Sequence, residues 1–276
     1  MALVPLIETK DTPLMESITI NNHPMTYVES GQSNPRTLVL LSGWAQDDRL
    51  FKNLAPILAK DFHVVCPNFR GHDAKQTLHG DFTADDLVDD VEAFIKAKGL
   101  LNVHFVSTSH GCWVNIGLCE RMKINRTVVI DWLMQPHDGF FQQLKDGQDP
   151  DRYKIGRQSF FDEWVEATDN ADVINHIRNE MAWFNGEMWM RACREIEKAY
   201  RRWGSPLDRM KALPFPIEVT HIYSQPLSED YRKFQNDFSA KNPWFHPVHI
   251  KGQTHFPTLE SPGPVADAIR AFYATP

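Results

Sequence analysis

Apolar and polar positions follow two rhythms along this chain. Ser17–Ile20 and Met25–Glu29 alternate residue by residue around Asn21-Asn22-His23, which predicts a β-hairpin. Residues 1–14 carry no such pattern and read as an irregular arm. Thr37–Leu41 is continuously apolar and ends in Ser42-Gly43-Trp44, the signature of a buried central strand. Between Asp47 and Lys60, apolar Leu50, Phe51, Leu54, Ile57 and Leu58 recur at helical spacing. His63–Cys66 predicts a short strand stopped by Pro67, and Arg70-Gly71-His72 a turn. Thr83 is placed to cap a helix over 84–98 whose apolar face is Leu87, Val88, Val91, Phe94 and Ile95. A strand at Val103–Val106, a helix at Gly111–Met122 and a strand at Thr127–Ile130, ending at Asp131, follow.

The alternation then changes. From Met134 to Met210 no segment has strand character, charge is dense, and Trp164, Trp183, Trp189 and Trp203 supply half of the 8 tryptophans. This stretch predicts a helical insertion. Strand character returns at Ile217–Tyr223 and Val248–Ile250, separated by a helix near 228–240, and the last helix spans Val265–Tyr273. Strands alternating with helices imply an α/β fold, a mostly parallel sheet with helices on both faces. The expected division is a core of 1–133 and 211–276 carrying a helical cap at 134–210.

Composition narrows the class only a little. A chain of 276 residues suits one large domain with an insertion. A net charge of −7 argues against nucleic acid or an anionic membrane as the main partner. Cys66, Cys112, Cys119 and Cys193 show no metal-binding or redox spacing, so reduced structural thiols are expected. No apolar run approaches the roughly 18 residues of a membrane span, and the N-terminus lacks a secretory pattern. The expectation is a soluble, cytoplasmic protein, in which the sequon Asn125-Arg126-Thr127 would stay unused.

Candidate chemistry centres on Val106-Ser107-Thr108-Ser109-His110-Gly111, lying between a strand and a helix. A serine on such a turn, with small residues two before and two after, is the nucleophile elbow of the α/β-hydrolase fold. The His110 backbone N–H would then face the same space as Ser109 Oγ, joined by the Trp44 N–H from the loop after the first central strand. The chain order of that fold predicts a histidine after the last strand, and among 12 histidines His255 stands there, in Gly252-Gln253-Thr254-His255. The acid is less routine. Ser224-Gln225-Pro226 follows the strand where it usually sits, with no carboxylate before Glu229 and Asp230, whereas Asp131 ends the strand after the elbow helix. Asp131 is preferred over either.

Several blocks taken together resemble a known family: Ser42-Gly43-Trp44, Pro67-Asn68-Phe69-Arg70-Gly71-His72, Ser109-His110-Gly111-Cys112-Trp113, Asp131-Trp132-Leu133-Met134, Trp203-Gly204-Ser205-Pro206, Asn242-Pro243-Trp244-Phe245 and Thr254-His255-Phe256-Pro257. The family is the cofactor-free 3-hydroxy-4(1H)-quinolone 2,4-dioxygenases, α/β-hydrolase-fold enzymes that open an N-heteroaromatic ring with O₂ and release carbon monoxide. The resemblance implies His255 as general base, Asp131 as its orienting partner and Ser109 as a hydrogen-bonding residue. It implies that the Trp44 and His110 N–H groups face the substrate carbonyl and that Trp164 faces the ring. No cofactor is implied; the partners are an aromatic substrate, with hydrogen, methyl or alkyl at its 2-position, and O₂. Two positions depart: the 2-methyl-quinolone enzyme of the family carries histidines where this chain has Gln46 and Thr108. These positions shape the substrate end of the pocket. The alternative is a serine hydrolase of ester, amide or carbon–carbon bonds with Ser109 as nucleophile, and a ligand-binding receptor on the same scaffold is a third class.

Overall fold

The computed structural model describes residues 14–72 and 80–274. The expected arm at 1–14 lies almost wholly outside the described residues. One eight-stranded sheet runs through the molecule in the order β1-β2-β4-β3-β5-β6-β7-β8. Its hairpin, β1 (Glu16–Ile20) and β2 (His23–Ser30), turns on Asn21 and Asn22, both at positive φ as a tight hairpin turn requires. β2 pairs antiparallel with β4 (His63–Pro67); from β4 onward the neighbours are parallel. All five residues of β3 (Thr37–Leu41) are buried, as expected of a strand covered on both faces. β5 (Val103–Thr108), β6 (Arg126–Ile130) and β7 (Glu218–Tyr223) complete the centre, and β8 (Phe245–His249) is a more exposed edge. Register aligns the C-terminal ends: Leu41 stands beside Ser107, Thr108 beside Ile130, and Ile130 beside Ile222. The loops that follow these strands therefore share one edge of the sheet, where open α/β sheets gather their ligands.

Two expectations from periodicity change. The helix sketched over 47–60 is a single turn at Asp48–Phe51 followed by the short α1 (Ala55–Leu58). Asp47 caps the first turn through the Arg49 N–H, and Pro56 opens α1, where its missing N–H costs nothing. The last strand begins at Phe245, three residues before the expected start, because Pro247 is tolerated at a sheet edge. Elsewhere the boundaries hold closely. α2 (Ala84–Lys98) starts at Thr83 with a reciprocal capping box to Asp86 and ends at Gly99 in a left-handed turn. α3 (Gly111–Met122) follows β5, and α9 (Glu229–Lys241), the short α10 (Pro257–Glu260) and α11 (Pro262–Ala274) complete the C-terminal part.

Between β6 and β7 the chain is helical throughout its regular elements: α4 (Asp138–Gln148), α5 (Tyr153–Glu166), α6 (Ala171–Asn175), a π-type turn at His176–Met181, α7 (Gly186–Trp203) and α8 (Pro206–Lys211). Asn170, Asn185 and Ser205 cap α6, α7 and α8 with their side-chain oxygens. Arg191 and Arg194 of α7 both bond Asp81, and Tyr200 donates to the Leu133 carbonyl at 2.7 Å, which fastens the helices over the sheet edge. All four cysteines are buried and free, their thiols pushed up by burial, to about 12 at Cys112, Cys119 and Cys193. Among the described residues no helix is long and apolar enough to cross a membrane.

Candidate active site

Ser109 is held in a strained conformation, φ +50°, at the turn from β5 to α3. The strain is supported from both sides. The Ser109 N–H donates to the Ile130 carbonyl at 2.8 Å, extending the β5–β6 ladder past the end of the strand. On the other side, a Cβ at Gly111 would stand 2.1 Å from the Ser42 carbonyl oxygen, so only glycine lets α3 start this close to the β3 loop. Ser107 occupies the other small-residue position, and the Asn115 side chain donates to its hydroxyl at 2.7 Å. Asp131 is built in the same way: it has φ +44°, and its N–H donates to the Ile222 carbonyl at 2.8 Å.

Ser109 Oγ and His255 Nε2 are 2.9 Å apart. Trp164 of α5 lies nearly parallel to the His255 ring, with centroids 5.7 Å apart and planes at 17°. Burial pushes His255 down to about 4, so the imidazole is neutral at rest. The loop carrying it is anchored by Glu260 of α10, whose carboxylate accepts the Gln253 N–H at 2.8 Å, the Thr254 N–H at 3.0 Å and the Thr254 hydroxyl at 2.9 Å.

Asp131 opens into the same cavity as His255, but its hydrogen bonds run elsewhere. It accepts the Ser224 N–H and the Gln225 N–H, each at 3.1 Å, and contacts Ser224 Oγ at 2.7 Å. Among the described residues no hydrogen bond joins Asp131 to His255. Burial raises the Asp131 carboxyl to about 7 and outweighs the opposing pull of those bonds. Glu229 and Asp230, the competing acids, sit exposed on the first turn of α9, away from the cavity.

The cavity has a volume of about 320 Å³. Its floor is the sheet edge, with Trp44, Ser109, His110 and Asp131, and its far wall comes from α4, α5 and α7 through residues such as Phe140, Trp164 and Trp189. Neither the Trp44 nor the His110 backbone N–H has a hydrogen-bond acceptor among the described residues. The His110 ring stacks on Phe140 at 5.8 Å and is pushed down to about 3, first by burial and then by His255. Gln46 lines the cavity; its amide nitrogen lies 3.8 Å from Met181 Sδ and its buried oxygen has no partner. Thr108 is buried at the end of β5 but is not among the lining residues, so of the two departing positions only Gln46 meets the cavity. Ser224 and Glu260 carry no motif of their own in the sequence; the one signal is that Ser224-Gln225 occupies the place where this fold usually carries its carboxylate.

A serine on a strand–turn–helix elbow, facing a histidine from the loop after the last strand, defines an α/β-hydrolase-fold protein, and residues 38–268 match the alpha/beta hydrolase family. The chain is 64% identical over 261 residues to the 1H-3-hydroxy-4-oxoquinoline 2,4-dioxygenase of Pseudomonas putida, covering 94% of this chain and 99% of that protein. It is 35% identical to a 2-heptyl-3-hydroxy-4-quinolone dioxygenase of Rhodococcus erythropolis, over 92% of this chain and 97% of the relative. The solved structure of 1H-3-hydroxy-4-oxoquinoline 2,4-dioxygenase superposes with a TM-score of 0.91 at 63% identity, over 94% of this chain and 100% of that one. The chain belongs to the 3-hydroxy-4-quinolone 2,4-dioxygenase family.

Proposed function

We infer that this protein is a cofactor-independent dioxygenase that cleaves the heterocyclic ring of a 3-hydroxy-4(1H)-quinolone with O₂, giving an N-acylanthranilate and carbon monoxide. The observation that carries this reading is identity of 64% along nearly the whole length of a dioxygenase of that activity. Substrate without a 2-substituent is the first to test, because that relative is named for it whereas the one at 35% is named for a 2-heptyl quinolone. Residues 134–210 would act as a cap, closing the aromatic wall of the cavity over the reacting ring.

In this mechanism O₂, a triplet, reacts slowly with closed-shell molecules unless one of them can give up an electron readily. The protein's task is to make and shelter an electron-rich anion. His255 takes the 3-hydroxyl proton, a role suited to an imidazole that is neutral at rest. The imidazolium so formed is stabilised by the face of Trp164 stacked on it and by the negative charge of Asp131 in its ionised form. The unengaged N–H groups of Trp44 and His110 stabilise negative charge on the 4-oxygen. The anion passes one electron to O₂, and recombination forms a C2 peroxide. Its distal oxygen attacks C4, and the bridged intermediate loses C3 with its oxygen as carbon monoxide. Both atoms of O₂ remain in the N-acylanthranilate, so the step balances with no further reductant. Ser109 donates or relays one hydrogen bond and forms no bond to carbon.

The serine hydrolase reading draws on the same 2.9 Å contact between Ser109 and His255. The test is parallel aerobic and anaerobic incubation with 1H-3-hydroxy-4-oxoquinoline. Oxygen-dependent loss of substrate with one carbon monoxide per O₂ is expected; turnover without O₂, or none in air, would overturn the proposal.

A further inference from the structure

Ser224 stands where most proteins of this fold carry the catalytic acid, yet it has no ionisable group. Its hydroxyl is fully buried and lies between two acceptors: Asp131 Oδ2 at 2.7 Å and the Thr254 carbonyl oxygen at 2.5 Å. A serine hydroxyl has one hydrogen, and a carbonyl oxygen can only accept. Both contacts are hydrogen bonds at once only if Ser224 donates to Thr254 and Asp131, in its neutral form, donates to Ser224. When Asp131 ionises, the Ser224 hydrogen turns to the carboxylate. Two oxygens, Ser224 Oγ and Thr254 O, are then left at 2.5 Å with no hydrogen between them. Thr254 immediately precedes His255, and Glu260 holds the same loop from its other side. A change of protonation at Asp131 is thereby felt by the backbone that carries the base.

We propose that Ser224 is a positioning residue that ties the protonation state of Asp131 to the placement of the His255 loop, its single hydroxyl hydrogen passing from the Thr254 carbonyl to the carboxylate when Asp131 ionises. This rests on the dioxygenase reading only for its catalytic consequence. The other titratable groups facing Asp131 are Glu260 from α10, Tyr231 from α9, Cys112 from α3 and His255 itself. Glu260 disfavours a second negative charge and so opposes the Ser224 hydroxyl, which favours the ionised carboxylate. The Ser224 and Gln225 N–H groups favour the ionised form and survive any change of the Ser224 side chain.

The experiment follows the Asp131 carboxyl by carbon NMR in protein labelled at aspartate, with Asp131→Asn for assignment, and compares wild type, Ser224→Ala and Ser224→Thr. Ser224→Ala removes the hydroxyl that donates to the carboxylate, a stronger bond than the one it accepts from the neutral acid, so the Asp131 titration should move up by about one pH unit, the scale of one buried hydrogen bond. Ser224→Thr keeps the hydroxyl and should titrate near wild type. The acidic limb of kcat/KM for 1H-3-hydroxy-4-oxoquinoline should move up with the carboxyl in Ser224→Ala alone. An unchanged or downward titration in Ser224→Ala would overturn the proposal, as would a fall in kcat with no displacement of the pH profile. If wild type does not consume O₂ with the quinolone, the functional reading fails, and the carboxyl titration still decides the role of Ser224.

Discussion

Replacing Ser109 by alanine separates the two chemistries that this constellation can perform. In the dioxygenase the side chain contributes one hydrogen bond, the 2.9 Å contact with His255 Nε2. Before proton transfer the imidazole is neutral and the bond contributes about 0.5–1.5 kcal/mol; once His255 is charged the figure is about 1.5–3 kcal/mol. The larger range sets the cost of Ser109→Ala at roughly 10- to 150-fold in kcat. Loss of the base is more severe, since a positioned general base contributes about 10²–10⁴-fold. In a serine hydrolase the two variants would be equally crippled, each by about 10⁶-fold, because nucleophile and base act as one unit. The assay is O₂ consumption with carbon monoxide release on 1H-3-hydroxy-4-oxoquinoline for wild type, Ser109→Ala and His255→Ala. Ser109→Ala should retain measurable O₂ uptake coupled to carbon monoxide, above the rate of His255→Ala. Equal, near-complete losses, or an acyl group trapped on Ser109, would refute the reasoning.

Asp131→Asn should lower turnover by roughly 10²–10⁴-fold, because it removes the charge that balances the imidazolium, while Glu229→Gln and Asp230→Asn stay within about two-fold of wild type; steady-state kinetics on the three variants checks this, and equal losses would reassign the acid. Stability should fall steeply on acidification. His72, His221 and His255 are pushed down by burial to about 4 and His110 to about 3, so each contributes stability that is complete above its unfolded pKa and lost as pH falls towards its folded one. Asp131, raised to about 7, binds its proton first in the folded state and offsets one of the four. The net three protons give a slope of about 4 kcal/mol per pH unit between pH 6 and 5, measurable by urea unfolding. His72→Phe, at a site ringed by Trp44, Phe69 and Phe82, should reduce that slope by about a third; an unchanged slope would show that His72 is not titrating there.

The parts of the fold legible in the sequence are those governed by local rules. Thr83 announced α2 because a capping residue and an apolar stripe coincide there, and β3 announced itself by an unbroken apolar run. The region of 47–60 misled because periodicity alone does not register that Asp47 and Pro56 each open a separate turn. Pro247 hid the start of β8, since a proline stops a central strand but not an edge one. At the site, Ser109 and His255 followed from topology. Ser224 and Glu260 did not, because their partners, Asp131 and Thr254, become neighbours only when β6, β7 and the last loop meet at one sheet edge. Nor does sequence disclose that Asp131 engages Ser224 and Gln225 in preference to His255.

The fate of oxygen tests the central claim most directly. With ¹⁸O₂ in ordinary water, the N-formylanthranilate formed from 1H-3-hydroxy-4-oxoquinoline should carry two heavy oxygens, one in the formyl and one in the carboxylate group, and the carbon monoxide none. With ordinary O₂ in H₂¹⁸O, product analysed before exchange should carry none. Heavy oxygen entering the product from water, or carbon monoxide bearing the label from O₂, would contradict an account in which His255 makes the anion and O₂ itself bridges C2 and C4.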